Sequence, residues 1–173
     1  MVEVFFSKVD DDVIKYFKEI EFDSNDWIDL NRLSTVNGKQ TRNVIHKIDP
    51  NLIKYLIDNH LMNMVNQIKG DYTLDGIEVD YLHYIKYEKG GYQRVHSHKS
   101  YEDYSFIIYL DDGQGGETII YPYGVPVVSK VTKGNLVFFP SYLFHEGAKI
   151  LDKKEIIVGS IREIGKKWTP RKS

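Results

Sequence analysis

The sequence predicts an α+β chain in which helices come first and pack on the outside of a jelly roll. Apolar residues recur at helical spacing within residues 1–75. From about residue 77 the texture changes to short runs rich in Ile, Val, Phe and Tyr. Turn signals containing Gly separate those runs at regular intervals, the pattern of a β-sandwich or barrel.

The first helix follows Asp10-Asp11-Asp12, with Val13, Ile14, Phe17 and Ile20 on one stripe and acids in the first turn. Residues 27–42 are polar and weakly patterned, and are expected to be loop with one short strand. The second helix opens at Asp49-Pro50, with Asp49 as N-cap and Pro50 at the first helical position. Leu52, Ile53, Leu56, Ile57, Leu61, Met64, Val65 and Ile68 form its apolar stripe, which ends near Gly70. Predicted strands cover Val79–Tyr87, Tyr104–Leu110, Glu117–Tyr121, Val125–Val131, Asn135–Pro140 and Glu155–Arg162. Gly90-Gly91, 111–116, Gly124 and Lys133-Gly134 are read as the breaks between them.

At 173 residues the chain is expected to be a single domain. Residues 1–75 are read as mainly helical support, 77–165 as a β core and 166–173 as a basic tail. Net charge is −2, which argues against a global basic surface for nucleic acid. Lys166, Lys167, Arg171 and Lys172 are read as a solvated end. Cysteine is absent, so disulfides, thiolate catalysis and iron–sulfur clusters are excluded, and a reducing cytoplasm is the expected setting. The first residues lack the charge and apolar core of a signal peptide, and no apolar run is long enough to span a bilayer.

Of the six histidines, His46 and His60 read as ordinary surface or satisfied residues. His83 alternates with Tyr81 and Ile85 and fits either the core or a pocket wall. In His96-Ser97-His98 an extended backbone puts two imidazoles on one face, roughly 6.6 Å apart along the strand. Two such rings can share a metal if another strand supplies a third ligand. His145 follows the strand Leu136-Val137-Phe138-Phe139 and a turn at Pro140, and is the candidate. Spacing alone leaves open that His-x-His is polar decoration in a hairpin.

The surroundings add a longer pattern. It runs Tyr87-Glu-Lys-Gly-Gly-Tyr-Gln-Arg-Val-His96, Ile108-Tyr109-Leu110-Asp111, Gly115-Gly116-Glu117-Thr118, Gly134-Asn-Leu-Val-Phe-Phe-Pro140, His145-Glu146-Gly147 and then Lys154. In order and spacing this half of the chain closely resembles the prolyl 4-hydroxylase branch of the iron- and 2-oxoglutarate-dependent dioxygenases. The resemblance implies a double-stranded β-helix, ferrous iron on His96, His98 and His145, and 2-oxoglutarate as co-substrate, with ascorbate as an optional accessory reductant. It further implies that Lys154 pairs with the distal carboxylate of 2-oxoglutarate and that Tyr109 and Tyr87 hydrogen-bond to it. Lys153 is the neighbouring alternative, but alternation turns it to the opposite side.

The pattern departs at one position, since the family's aspartate is replaced by His98. Three neutral imidazoles leave the site about one charge more positive than two imidazoles and a carboxylate. Glu102 or Asp103, just downstream, is an alternative source of the carboxylate. The spacing His96-x-His98-x-x-x-Glu102, with Gly134, Pro140 and His145, also matches the metal motifs of the cupins, which share the double-stranded β-helix. The dioxygenase resemblance accounts in addition for Gly-Gly-Glu-Thr, Tyr109-Leu110, His145-Glu-Gly and Lys154. The expected activity is hydroxylation of a peptide or protein side chain, proline first, with release of succinate and carbon dioxide. An amino-acid-like small substrate, a cupin-type metalloprotein and an inactive binding module are the alternatives. Dioxygen is the implied partner, while membrane and nucleic acid are not expected. The segments 88–103 and 111–116 are candidates to grip the substrate.

Overall fold

The computed structural model describes residues 3–28, 35–98 and 102–170. Part of the 88–103 segment, the centre of the weakly patterned 27–42 stretch, and Arg171 and Lys172 of the basic tail lie outside the described residues.

The first helix, α1 (Asp11–Glu19), forms as expected, with Asp11 and Asp12 in its first turn and Val13, Ile14 and Phe17 buried. The second opens as α2 (Pro50–Leu56), where the Asp49 side chain accepts from Asn51 N–H at 2.9 Å. It does not run as one α-helix to Gly70. A π-helical turn (Ile57–Leu61) intervenes before α3 (Met62–Ile68). The wide turn lets Leu56 and Leu61, five positions apart, both be buried. Periodicity alone does not signal such an insertion.

The first 75 residues are mainly helical but contribute more strands than the one short strand expected within 27–42. They are β1 (Phe5–Lys8), β2 (Trp27–Ile28), β3 (Thr35–Thr41) and β4 (Tyr72–Thr73). They are followed by β5 (Gly76–His96), β6 (Tyr104–Tyr109), β7 (Thr118–Tyr121), β8 (Val127–Ser129), β9 (Asn135–Pro140), β10 (Phe144–Gly147), β11 (Lys154–Ile164) and β12 (Lys167–Trp168). One antiparallel sheet runs in the order β1-β9-β6-β11-β5-β10-β7-β8, with β3 joined to β5 and β2 to β3. β12 pairs with β4 and sets Trp168 edge-on to Tyr72 with ring centroids 5.0 Å apart, so the start of the basic tail is docked.

Alternation along the central strands divides the core in two. Leu82 and Tyr84, Phe106 and Ile108, and Leu136 and Phe138 pack with Phe17, Leu56 and Val65 of the helices. Ile85 and Tyr87, Ile107 and Tyr109, and Val137 and Phe139 face the other way into a second cluster with Ile120 and Ile150. β6 is buried at every position, which explains its unbroken run Tyr-Ser-Phe-Ile-Ile-Tyr.

Gly90-Gly91 is not a break between strands. β5 passes through it, and residues 88–91 bulge opposite the single residue Asn37, between the pairs Val36↔Tyr92 and Gly38↔Tyr87. Gly90 has φ +83 and Asn37 φ +53. A Cβ on Gly91 would lie 2.6 Å from the Asn37 carbonyl oxygen, so only glycine admits the approach. At this bulge β5 leaves β11, its last pair there being Tyr87↔Lys154, and joins β10 through Gln93↔Gly147 and His96↔His145.

Candidate metal centre

That change of partner brings His96 directly opposite His145. His98 lies two residues beyond the end of β5, outside the expected strand, and its N–H donates to the Ser141 carbonyl at 2.9 Å. The ring centroids are 4.2 Å apart for His96–His145, 4.8 Å for His96–His98 and 5.4 Å for His98–His145. Their candidate ligand atoms all lie within 4.8 Å of one another. Two metal–nitrogen bonds of about 2.1 Å span at most about 4.2 Å, so small side-chain adjustments close the set around one ion.

The Nδ1 atoms are already engaged. That of His96 contacts the Arg94 carbonyl at 2.7 Å, and that of His145 the Leu143 carbonyl at 3.1 Å. His98 Nδ1 lies 3.3 Å from Glu102 Oε1. With Nδ1 so directed, the nitrogen each ring can offer a metal is Nε2, and the acceptors fix the tautomer. Burial holds all three imidazoles below the usual range, His98 down to about 4 and His145 to about 3, with the neighbouring His96 adding to both shifts. They are therefore neutral, the form a metal binds. Burial also pushes the Glu102 carboxyl up to about 7, so its contact with neutral His98 is a hydrogen-bonding contact rather than an ion pair. Glu102 is not one of the convergent group, and its carboxylate sits behind His98.

Beside the triad is a cavity of about 130 Å³, lined among others by Gln40, Tyr81, His83, Gln93 and Phe139. His83 thus belongs to the pocket wall, with Nδ1 held by the Thr41 carbonyl at 2.8 Å. Tyr81 could have been found from the sequence, because it alternates with His83 on one strand face. Gln40 could not, since it lies in a stretch read as mostly loop. His46 is exposed, as expected. His60 sits in the π turn with Nδ1 2.6 Å from Ser7 Oγ, and its buried Nε2 has no partner among the described residues.

Lys154, which opens β11 and pairs with Tyr87 where β5 leaves that strand, is 3% exposed, while Lys153 is exposed. Lys154 Nζ donates to the Gly116 carbonyl at 2.7 Å and lies 5.1 Å from the Tyr87 ring centre and 5.9 Å from that of Tyr109. Burial pulls its pKa down to about 8, only partly opposed by Glu117. Tyr109 is fully buried, its hydroxyl 2.6 Å from Thr118 Oγ1 and donating to Ser129 Oγ at 3.1 Å. The Tyr87 hydroxyl is buried with no hydrogen-bond partner among the described residues. A buried ammonium with one neutral acceptor beside an unpartnered phenol is a donor set that a carboxylate would satisfy.

No protein-family model and no curated protein matches the sequence. Solved structures do. The chain has the jelly-roll fold of 2-oxoglutarate- and iron-dependent oxygenases. A prolyl 4-hydroxylase from Pseudomonas putida superposes with a TM-score of 0.64 at 17% identity, over 92% of either chain. The viral collagen prolyl hydroxylase of Paramecium Bursaria Chlorella virus-1, solved with 2-oxoglutarate, gives 0.65 at 17% identity over 95% of this chain and 97% of that one. A Trichoplax adhaerens prolyl hydroxylase, in complex with a hypoxia inducible factor peptide fragment, gives 0.60 at 17% identity over 87% and 74%.

Proposed function

We propose that the protein is a non-haem Fe(II)- and 2-oxoglutarate-dependent dioxygenase that hydroxylates a peptidyl side chain, with proline the first candidate. The observation that carries the reading is Lys154, a buried ammonium with a single carbonyl acceptor among the described residues, in the same jelly roll as three neutral imidazoles. His96, His98 and His145 would hold the iron, a donor set of three protein ligands that suits a non-haem ferrous ion acting with a 2-oxo acid. Lys154 would bind the distal carboxylate of 2-oxoglutarate, with Tyr87 and Tyr109 as the neighbouring hydroxyls. Bound iron supplies the coupling of oxidative decarboxylation, which turns 2-oxoglutarate and dioxygen into succinate and carbon dioxide, to insertion of the second oxygen atom into a substrate C–H bond. The protein's part is to fix tautomers, neutralise the co-substrate's far end and enclose the reacting groups.

A peptide substrate is favoured by the peptide-bound Trichoplax adhaerens neighbour. A reducing cytoplasm fits the cysteine-free sequence, and no helix among the described residues is long and apolar enough to cross a membrane. Anaerobic titration of the ferrous protein with 2-oxoglutarate tests the proposal. The charge-transfer absorption of a chelated 2-oxo acid is expected. Ferrous protein that binds metal but develops no such band would instead be a cupin-type metalloprotein or a binding module.

A further inference from the structure

Glu102 is the most heavily anchored carboxylate beside the centre. Its side chain is fully enclosed. Oε1 accepts from the Tyr81 hydroxyl and lies 3.3 Å from His98 Nδ1, while Oε2 accepts from Ser105 Oγ and Ser141 Oγ, each at 3.3 Å. Ser141 also receives the His98 N–H on its carbonyl, and its own N–H donates to the Asp103 carbonyl at 3.1 Å. The Glu102 carboxylate, the His98 imidazole and Ser141 are therefore joined in one polar network.

Building on the metal-centre reading, we infer that Glu102 is a positioning residue that stands behind His98 and replaces, one shell further out, the carboxylate that a ligating aspartate would have supplied. A carboxylate on the far nitrogen of a ligating imidazole fixes its tautomer and orientation and raises its basicity.

A double-mutant cycle read by cobalt(II) affinity, from the visible absorption of the bound ion, separates these roles. In the otherwise native chain, Glu102→Gln is expected to weaken cobalt binding about 10–100-fold, the usual effect of losing such a partner. In the His98→Asp background the carboxylate is itself a ligand, so Glu102→Gln should be neutral or should tighten binding by removing a like charge. An equal loss in both backgrounds overturns the inference, because it marks either a loop anchor or a direct ligand. A native chain that binds no cobalt overturns the metal centre as well, whereas a native chain that binds cobalt with an additive cycle removes Glu102 alone. A second readout needs no substitution. In zinc-loaded protein with ¹⁵N-labelled histidine, His98 should show a metallated Nε2 and a protonated Nδ1 whose proton lies downfield of those of His96 and His145, which face only carbonyls. A metallated His98 Nδ1 overturns the inference.

Discussion

Burial disfavours the charged form of a histidine and of a lysine alike, yet it prepares the two for different partners. His145, 4% exposed and neutral down to about pH 3, offers a lone pair that no proton competes for. His145→Ala should abolish stoichiometric binding of a divalent ion, which equilibrium dialysis with metal analysis would show; full occupancy would dismiss the triad. Lys154 is left with an ammonium short of acceptors. Losing one partner of a desolvated charged pair costs about 2–5 kcal/mol, so Lys154→Ala should weaken 2-oxoglutarate binding by roughly 30-fold or more. Metal affinity should not change, and Lys153→Ala should be close to neutral because that side chain is exposed. The pH dependence follows from the direction of the shift. Lys154 is lowered to about 8 in the free protein, and a bound carboxylate would raise it. Affinity should therefore be complete below about 8 and fall as pH rises through that value, to about tenfold weaker at pH 9 than at pH 7. Calorimetric titrations that gave equal affinity at the two pH values would separate Lys154 from the co-substrate.

Among the elements, β5 does most to build the centre, and its decisive feature is the bulge at residues 88–91. A Cβ on Gly91 would press on two carbonyl oxygens, those of Asn37 at 2.6 Å and Glu88 at 2.9 Å. Gly91→Ala should lower stability by about 1–3 kcal/mol and weaken metal binding too, since the bulge aims His96 at His145. Gly159→Ala is the control. Its Cβ would meet the Phe106 ring at 2.2 Å on the helix-facing side of the sheet, so it should destabilise without changing cobalt affinity. Urea unfolding and cobalt titration of both variants check this, and a Gly91→Ala protein with native affinity would detach the bulge from the site. Five of the expected strands lie within about two residues of those observed, because their flanking turns carry Gly or Pro and their apolar runs are short. Gly90-Gly91 misleads for the same reason, since glycine marks a bulge as readily as a turn. β3 is illegible because it is half exposed and carries no apolar alternation.

In the whole molecule the sheet separates two packing layers, the helices on one face and the triad and Lys154 on the other. Phe17 lies in the first layer, fully buried. Phe17→Ala should cost about 3–5 kcal/mol of stability while the folded fraction keeps its cobalt affinity, and cobalt should raise Tm in both native and variant protein. A Phe17→Ala variant with altered affinity would show that the two layers are coupled. The sequence by itself determined the fold class, the start of each main helix, most of the strands and the triad's membership. Each of these is written in local periodicity, in caps or in a short motif, and needs no knowledge of distant pairing. The tertiary structure decided that β1 and β3 join the sheet and that β5 changes partner at a bulge. It also decided that Glu102 sits behind His98 rather than among the convergent ligand atoms. Those features depend on which strand edges meet and which polar groups remain to be satisfied after packing, and both are settled only by contacts between residues far apart in the chain.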